Sequence, residues 1–336
     1  MFDRLKISAR ALFDEVTAHR MTLGRTLYLV QSKFGDGLRT AYYRDIVRPW
    51  ILDTPPIEET NDTRCEIHSL VSNDDWLNLL WSLKSFYHCS GRRYSLCIHD
   101  DGTLTAAARD NLRSAFPRAR LIPRSEADPK LAAALASSPR SREFRAVNKF
   151  ALKLFDFHAF LEADHLLMLD SDVLFFDAPS ALLALADDVS SRVNSFNKDW
   201  RNGYSIDPET LRPFLDFAVP PLINAGLGVV HPDSLRADWI EEFLELPGIT
   251  SLSHQIEQTI VALCSGRFGF QMLPAEYDVH LGPRDRTAPS RHYTGPLRPL
   301  MYREGIRELV RKGILSASEK QRRADEGASA DSLRLQ

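Results

Sequence analysis

Apolar residues in this chain fall into short runs that alternate with longer stretches of helical spacing. Glu66-Ile67-His68-Ser69-Leu70-Val71 reads as a first strand. Trp76 to Tyr87 follows as an amphipathic helix, entered through the capping candidates Asn73, Asp74 and Asp75. Tyr94 to His99 predicts a second strand and Ala119 to Pro123 a short third one, with a turn at Asp100-Asp101-Gly102 and a helix over Thr105 to Phe116 between them. Lys149 to Leu161 has helical periodicity and leads into an apolar strand around Asp170. Val193 to Arg201 and Pro220 to His231 hold further strand-like runs, and Ser251 to Cys264 reads as a helix. Strands alternating with helices predict an α/β fold, a mostly parallel Rossmann-like sheet flanked by helices. In such sheets a ligand sits at the carboxyl ends of the strands.

The two ends break this pattern. Residues 1–62 read as a helical extension, with Leu5, Ala9, Leu12, Phe13 and Val16 at helical spacing and Pro55-Pro56 marking a break before the main domain at 63–315. Residues 316–336 lack a periodic apolar face and read as a disordered tail. The basic, amphipathic N-terminus allows peripheral membrane contact, while Asp14 and Glu15 favour docking on the protein's own body. Composition narrows the classes. A net charge of −3 over 336 residues gives no nucleic-acid footprint. Cys65, Cys89, Cys97 and Cys264 form no C-x-x-C pair, which fits reduced thiols in a cytoplasmic protein. No apolar stretch reaches the length of a membrane span, and there is no signal-peptide core at the N-terminus.

The candidate chemistry concentrates in Leu166-Leu167-Met168-Leu169-Asp170-Ser171-Asp172-Val173-Leu174-Phe175-Phe176. Two carboxylates, one residue apart, interrupt an apolar run. In a continuous strand, period two points Asp170 and Asp172 to the same side. Unpaired carboxylates there are costly to desolvate, and a divalent cation is the natural remedy. The plain alternative is a strand end whose acids cap a helix or face solvent.

The order of motifs resembles the GT-A-fold glycosyltransferases, nearest the retaining galactosyltransferase and glycogenin-like group. Four blocks carry the resemblance: Leu169-Asp170-Ser171-Asp172-Val173, Ile223-Asn224-Ala225-Gly226-Leu227, Glu257-Gln258 within a helix, and His292-Tyr293-Thr294-Gly295 followed by Arg298-Pro299. It spans roughly Cys65 to Ile314. Arg298 stands where Lys is common in that family, Leu300 where Trp is, and Thr259 where many relatives place a second acid. The resemblance implies a GT-A (nucleotide-diphospho-sugar transferase) fold and a hexosyltransferase-type enzyme. Such an enzyme moves a sugar, with retention, from a nucleotide diphosphate sugar (a UDP-sugar) to the hydroxyl of a carbohydrate, lipid-linked or protein acceptor.

Under that resemblance, Asp170, Asp172 and His292 hold Mn²⁺ (or Mg²⁺), with Asp170 also a candidate for the ribose. Val71 and Asn73 hold the base, Asp101 the ribose or base, and Arg145, Lys149 and Arg298 the sugar or phosphates. Asn224 and Gly226 line the sugar pocket, and Gln258 and Glu257 lie at the reacting face. Glu257 and Gln258 project from different helix faces, so one of them at most is expected to point fully inward. The plainer readings are turn chemistry for Asp101 and a solvated basic face for Arg140, Arg142 and Arg145. Rival classes are a nucleotidyltransferase and a catalytically inactive sugar- or nucleotide-binding scaffold. His99-Asp100-Asp101-Gly102-Thr103-Leu104 looks like the signature of a haloacid-dehalogenase-type phosphatase, and that reading is nearly eliminated because His99 stands where the nucleophilic Asp must be.

Overall fold

The computed structural model of the chain describes Gln31 and residues 34–58, 62–250 and 253–316. The expected helical positions Leu5 to Val16 and the tail beyond Ser316 lie outside the described residues, as do Ser251 and Leu252. The described residues form two compact units: those within 56–292, and those before residue 56 together with those after residue 292. In the second unit, successive helical turns run from Leu38 to Asp53 and from Arg298 to Arg311.

In the 56–292 unit the order is β1 (Asp62–Val71), α1 (Trp76–Ser90), β2 (Tyr94–Asp100), α2 (Ala106–Ala115), β3 (Arg120–Ile122), α3 (Arg124–Ala134), α4 (Pro139–Val147), α5 (Leu152–Phe160) and β4 (His165–Leu169). There follow β5 (Val173–Phe175), α6 (Ser180–Asp187), β6 (Asn194–Lys198), β7 (Ile223–Val230), α7 (Ala237–Phe243), α8 (Ile256–Phe268), β8 (Phe270–Met272) and β9 (Ser290–His292). Local signals set several ends. Thr105 caps α2 by accepting from the Ala108 N–H at 3.2 Å. Gly91 closes α1 at φ 64°, a left-handed backbone in which glycine carries no Cβ penalty.

Seven strands form one sheet in the order β3-β2-β1-β4-β7-β6-β8. It is mostly parallel; β7 alone runs against its neighbours β4 and β6. The apolar run of β4 is buried throughout, as a strand covered on both faces requires. The chain winds outward from β1 to β3, then crosses back to lay β4 on the other side of β1. That reversal makes a topological switch point at the carboxyl ends of β1 and β4, the usual ligand crevice of such sheets.

The continuous strand expected through Asp170 and Asp172 is not what forms. β4 ends at Leu169, the Asp170 N–H makes a last 2.8 Å bond to the Gly226 carbonyl, and the chain turns before β5. β5 leaves the main sheet and pairs antiparallel with β9. The two aspartates therefore sit in a turn, and their proximity owes nothing to strand alternation.

Candidate metal and donor site

Two separate elements deliver the metal-ligating candidates. Asp170 and Asp172 occupy the turn after β4. The β5–β9 pairing sets Val173 opposite His292, which carries the imidazole to that turn from 120 residues downstream. His292 Nε2 lies 3.0 Å from Asp172 Oδ1. The ligand atoms of Asp170, Asp172 and His292 all fall within 4.8 Å of one another. Asp172 and His292 are buried, whereas the Asp170 side chain keeps 30% of its exposure and faces the crevice.

A strand behind the turn shapes this group. Asn224 Oδ1, on β7, contacts His292 Nδ1 at 2.8 Å and accepts the Gly226 N–H at 3.0 Å. Its amide nitrogen donates to Asp199 at 3.0 Å. An Asn oxygen facing Nδ1 fixes the proton there and turns the Nε2 lone pair towards Asp172 and a cation, as outer partners of metal-bound histidines do. Gly226 makes room: a Cβ there would collide with His292 Cε1 and lie 2.9 Å from Asp170 Oδ2. Burial opposes charge on His292, but Asp172 and Asp170 outweigh it and raise its pKa.

Lys153, on α5, is the cation of the site that the sequence reading missed. Its ammonium reaches Asp170 Oδ1 at 2.9 Å, Glu257 Oε1 at 3.3 Å and the Ala225 carbonyl at 2.9 Å. Burial works against its charge, yet the two carboxylates raise its pKa above the usual lysine value. Burial pushes Glu257 up, with Asp170 adding to the rise and Lys153 opposing it. Gln258 Oε1 accepts the Ala225 N–H at 3.3 Å, and a Cβ at Gly203 would run into its amide nitrogen. Glu257 and Gln258 thus both meet the site, one through Lys153 and one through the β7 backbone, which relaxes the expectation that only one would. Lys153 and Asp156 interrupt the otherwise apolar Leu152–Phe160 run, and that was the signal available in the sequence.

Other anticipated donor-binding residues form a second group on neighbouring strand ends. Val71 ends β1, and its carbonyl accepts the Asp101 N–H at 3.0 Å. Asn73 is tied to the following loop through Thr103 and Thr105. Asp101 receives the Thr103 N–H at 3.0 Å, the turn chemistry weighed above, and Lys149 stands 3.7 Å from its carboxylate. Arg145 is placed differently. Its guanidinium forks onto buried Asp156 with two bonds of 2.7 Å and reaches Asp128 at 2.9 Å, contacts internal to α3, α4 and α5. Arg298 begins a helical turn in the 293–336 unit.

No family model and no curated protein matches the chain. Solved structures similar to it include mouse xyloside xylosyltransferase 1, at 12% identity over 72% of this chain and 99% of that one, with a TM-score of 0.48. The galactosyltransferase LgtC with donor and acceptor sugar analogues is similar at 16% identity, over 69% and 87% of the two chains, with a TM-score of 0.44. The mannosyltransferase Ktr4p of S. cerevisiae is similar at 12% identity, over 70% and 77%, with a TM-score of 0.43. At such identities and scores the functional assignment rests on the site itself. Among the described residues no helix is long and apolar enough to cross a membrane.

Proposed function

We propose that the chain is a metal-dependent, GT-A-type hexosyltransferase that moves a sugar from a UDP-sugar to an acceptor hydroxyl with retention. One observation carries this reading. Asp170, Asp172 and His292 converge at the switch point beside Lys153, Glu257, Asn224 and Gln258, four polar groups on three further elements.

The donor set of two carboxylates and one imidazole suits Mn²⁺ or Mg²⁺ better than a thiophilic ion. The Gly226 notch and the Asn224 bond to Nδ1 fit an imidazole held for coordination. When bound, such an ion supplies Lewis-acid stabilisation of a diphosphate leaving group. The chain's own residues do the rest. Lys153 bridges Asp170 and Glu257 through its ammonium and fixes their orientation. Glu257, paired to that ammonium, is suited to receive a sugar hydroxyl. Gln258 braces the β7 backbone next to Asn224 and Gly226, where the sugar would lie. In front-face attack the leaving phosphate takes the acceptor's proton, so no protein base is required. Val71, Asn73, Asp101 and Lys149 are proposed to hold the nucleoside, and the loops over 197–217 and 280–290 to shape the acceptor site.

Calorimetric titration of UDP and GDP, each with Mn²⁺ and with EDTA, tests this reading. Mn²⁺-dependent binding of UDP, lost in Asp172→Asn, is expected. Binding of neither nucleotide would overturn the proposal, and preference for GDP would change the donor.

A further inference from the structure

A second set of metal-ligating atoms lies inside the sheet, away from the proposed transfer site. Cys97 and His99 of β2 are two residues apart and share a face, and His68 on β1 stands in register with Cys97. α5 covers that face: Phe157 packs on His68 and on His99, with ring centroids 5.3 and 4.7 Å apart. His68, Cys97 and His99 are each at most 1% exposed. His68 Nδ1 approaches His99 Nε2 at 3.0 Å, Cys97 Sγ approaches the same nitrogen at 3.3 Å, and the three atoms lie within 4.8 Å of one another.

Proton bookkeeping shows why this is more than a hydrogen-bonded core. Glu66 receives Arg120 at 2.8 Å and the Glu162 N–H at 2.9 Å, which holds it as a carboxylate. His68 Nε2, 3.0 Å from Glu66, therefore carries the proton, and Nδ1 presents a lone pair to His99. If His99 is protonated on Nε2, it satisfies His68, but its own Nδ1 lone pair is buried with no hydrogen-bond partner and the Cys97 thiol has no acceptor there. If His99 is protonated on Nδ1 instead, two imidazole lone pairs face each other at 3.0 Å. A neutral cluster is frustrated either way.

We propose that His68 Nδ1, His99 Nε2 and Cys97 Sγ form a second metal site, for a borderline-soft divalent ion of the Zn²⁺ type. The ion turns the three competing atoms into ligands and removes the conflict at His99 Nε2, while His99 Nδ1 keeps no hydrogen-bond partner in either state. Two imidazoles and a thiolate are the donors such ions favour over Mn²⁺ or Mg²⁺. Tetrahedral bonds to Zn²⁺ of about 2.0–2.3 Å separate ligand atoms by roughly 3.3–3.6 Å, so the two approaches to His99 Nε2, 3.0 and 3.3 Å, need open by only a few tenths of an ångström. Glu66 on His68 is the carboxylate–histidine arrangement that orients metal-bound imidazoles. Binding breaks the Cys97 S–H bond, forms the metal–sulfur bond and releases the proton to solvent. A surface cavity lies one layer of side chains away: Arg120 and Phe160 line it, Phe160 packs on the His99 ring, and Arg120 holds Glu66.

Cobalt(II) alone is the probe, because the Asp170–Asp172–His292 group has no sulfur. Titrating the full chain should produce a sulfur-to-cobalt charge-transfer band that saturates near one equivalent and is discharged by Zn²⁺. The band should survive Asp172→Asn and vanish in Cys97→Ser. Absence of the band in the wild type, or its persistence in Cys97→Ser, would overturn the proposal. Should Cys97→Ser not fold, X-ray absorption of Zn²⁺-loaded Asp172→Asn decides: sulfur in the first shell supports the site, and nitrogen and oxygen alone refute it.

Discussion

One helix carries two buried ion clusters of opposite character. From α5, Lys153 enters the group containing Asp170, Glu257, Asp172 and His292, while Asp156, three residues on, receives Arg145. The Arg145 cluster is closed: a planar fork meets a carboxylate of fixed geometry with two bonds of 2.7 Å, and Asp128 takes a third N–H. The Lys153 cluster is open. Three carboxylates face one ammonium and one imidazole whose charge depends on the carboxylate beside it, and one carboxylate looks into a crevice. A buried pair complete in itself serves packing, whereas a buried group left with excess negative charge has capacity for a cation. That distinction sorts cations into structural and functional roles better than their sequence positions do.

The sharpest way to break the comparison is to remove one charged group from each cluster. Asp172→Asn should lower sugar transfer on the order of 10³-fold, as loss of several kcal/mol of metal-based stabilisation implies, with an unchanged urea midpoint. Arg145→Ala should do the reverse. Stranding Asp156 should cost about 3–5 kcal/mol of stability in urea titrations, with KM for the donor unaltered in the molecules that remain folded. A donor-binding defect in Arg145→Ala without destabilisation would show that the pair opens to reach substrate.

The contrast also explains what could be read from the chain. Alternating runs located the strands and helices of the sheet because burial on one or both faces imposes period and length. The Asp170–Asp172 turn was legible as a pair of acids amid apolar residues, but for a geometric reason that does not hold: a strand switch, which depends on pairing with β9, brings them together. Arg145 drew notice as part of a basic cluster, and Lys153 was hidden inside a run that reads as core. Only the tertiary contacts show that Arg145 meets Asp156 on α5 while Lys153 meets acids from β4 and α8. The His68–Cys97–His99 cluster was similarly concealed, since Cys97 and His99 alternate with apolar residues on β2, His68 lies on β1, and only the register of β1 on β2 unites them.

A smaller effect sharpens the open side of the comparison. Asn224→Ala keeps every candidate ligand but removes the acceptor that fixes the His292 ring. Metal affinity should fall by about 10–100-fold, the usual cost of losing an outer partner. Calorimetry with Mn²⁺ measures it directly. An unchanged affinity would mean that the packing around Gly226, rather than Asn224, holds the imidazole.

Lys84, on α1, provides the most direct check that acids, not burial, set the state of Lys153. Both lysines are about 95% buried or more, yet their pKa values move in opposite directions. Burial pulls Lys84 down to about 8, whereas Asp170 and Glu257 carry Lys153 upward. In the unfolded chain Lys84 keeps an ordinary value near 10.5, so between pH 8 and 10.5 the unfolded state holds more protons at this position than the folded one. Stability from this group is then fully present above 10.5 and is lost as pH falls to 8, at about 1.4 kcal/mol per unit inside that window. Urea titrations of the wild type and of Lys84→Met across that range should give a stability difference that changes with pH by this slope, because the buried thiols that titrate in the same window are common to both. If the two curves run parallel, Lys84 is protonated in the fold, and burial is too weak at this depth to account for the difference between the two lysines.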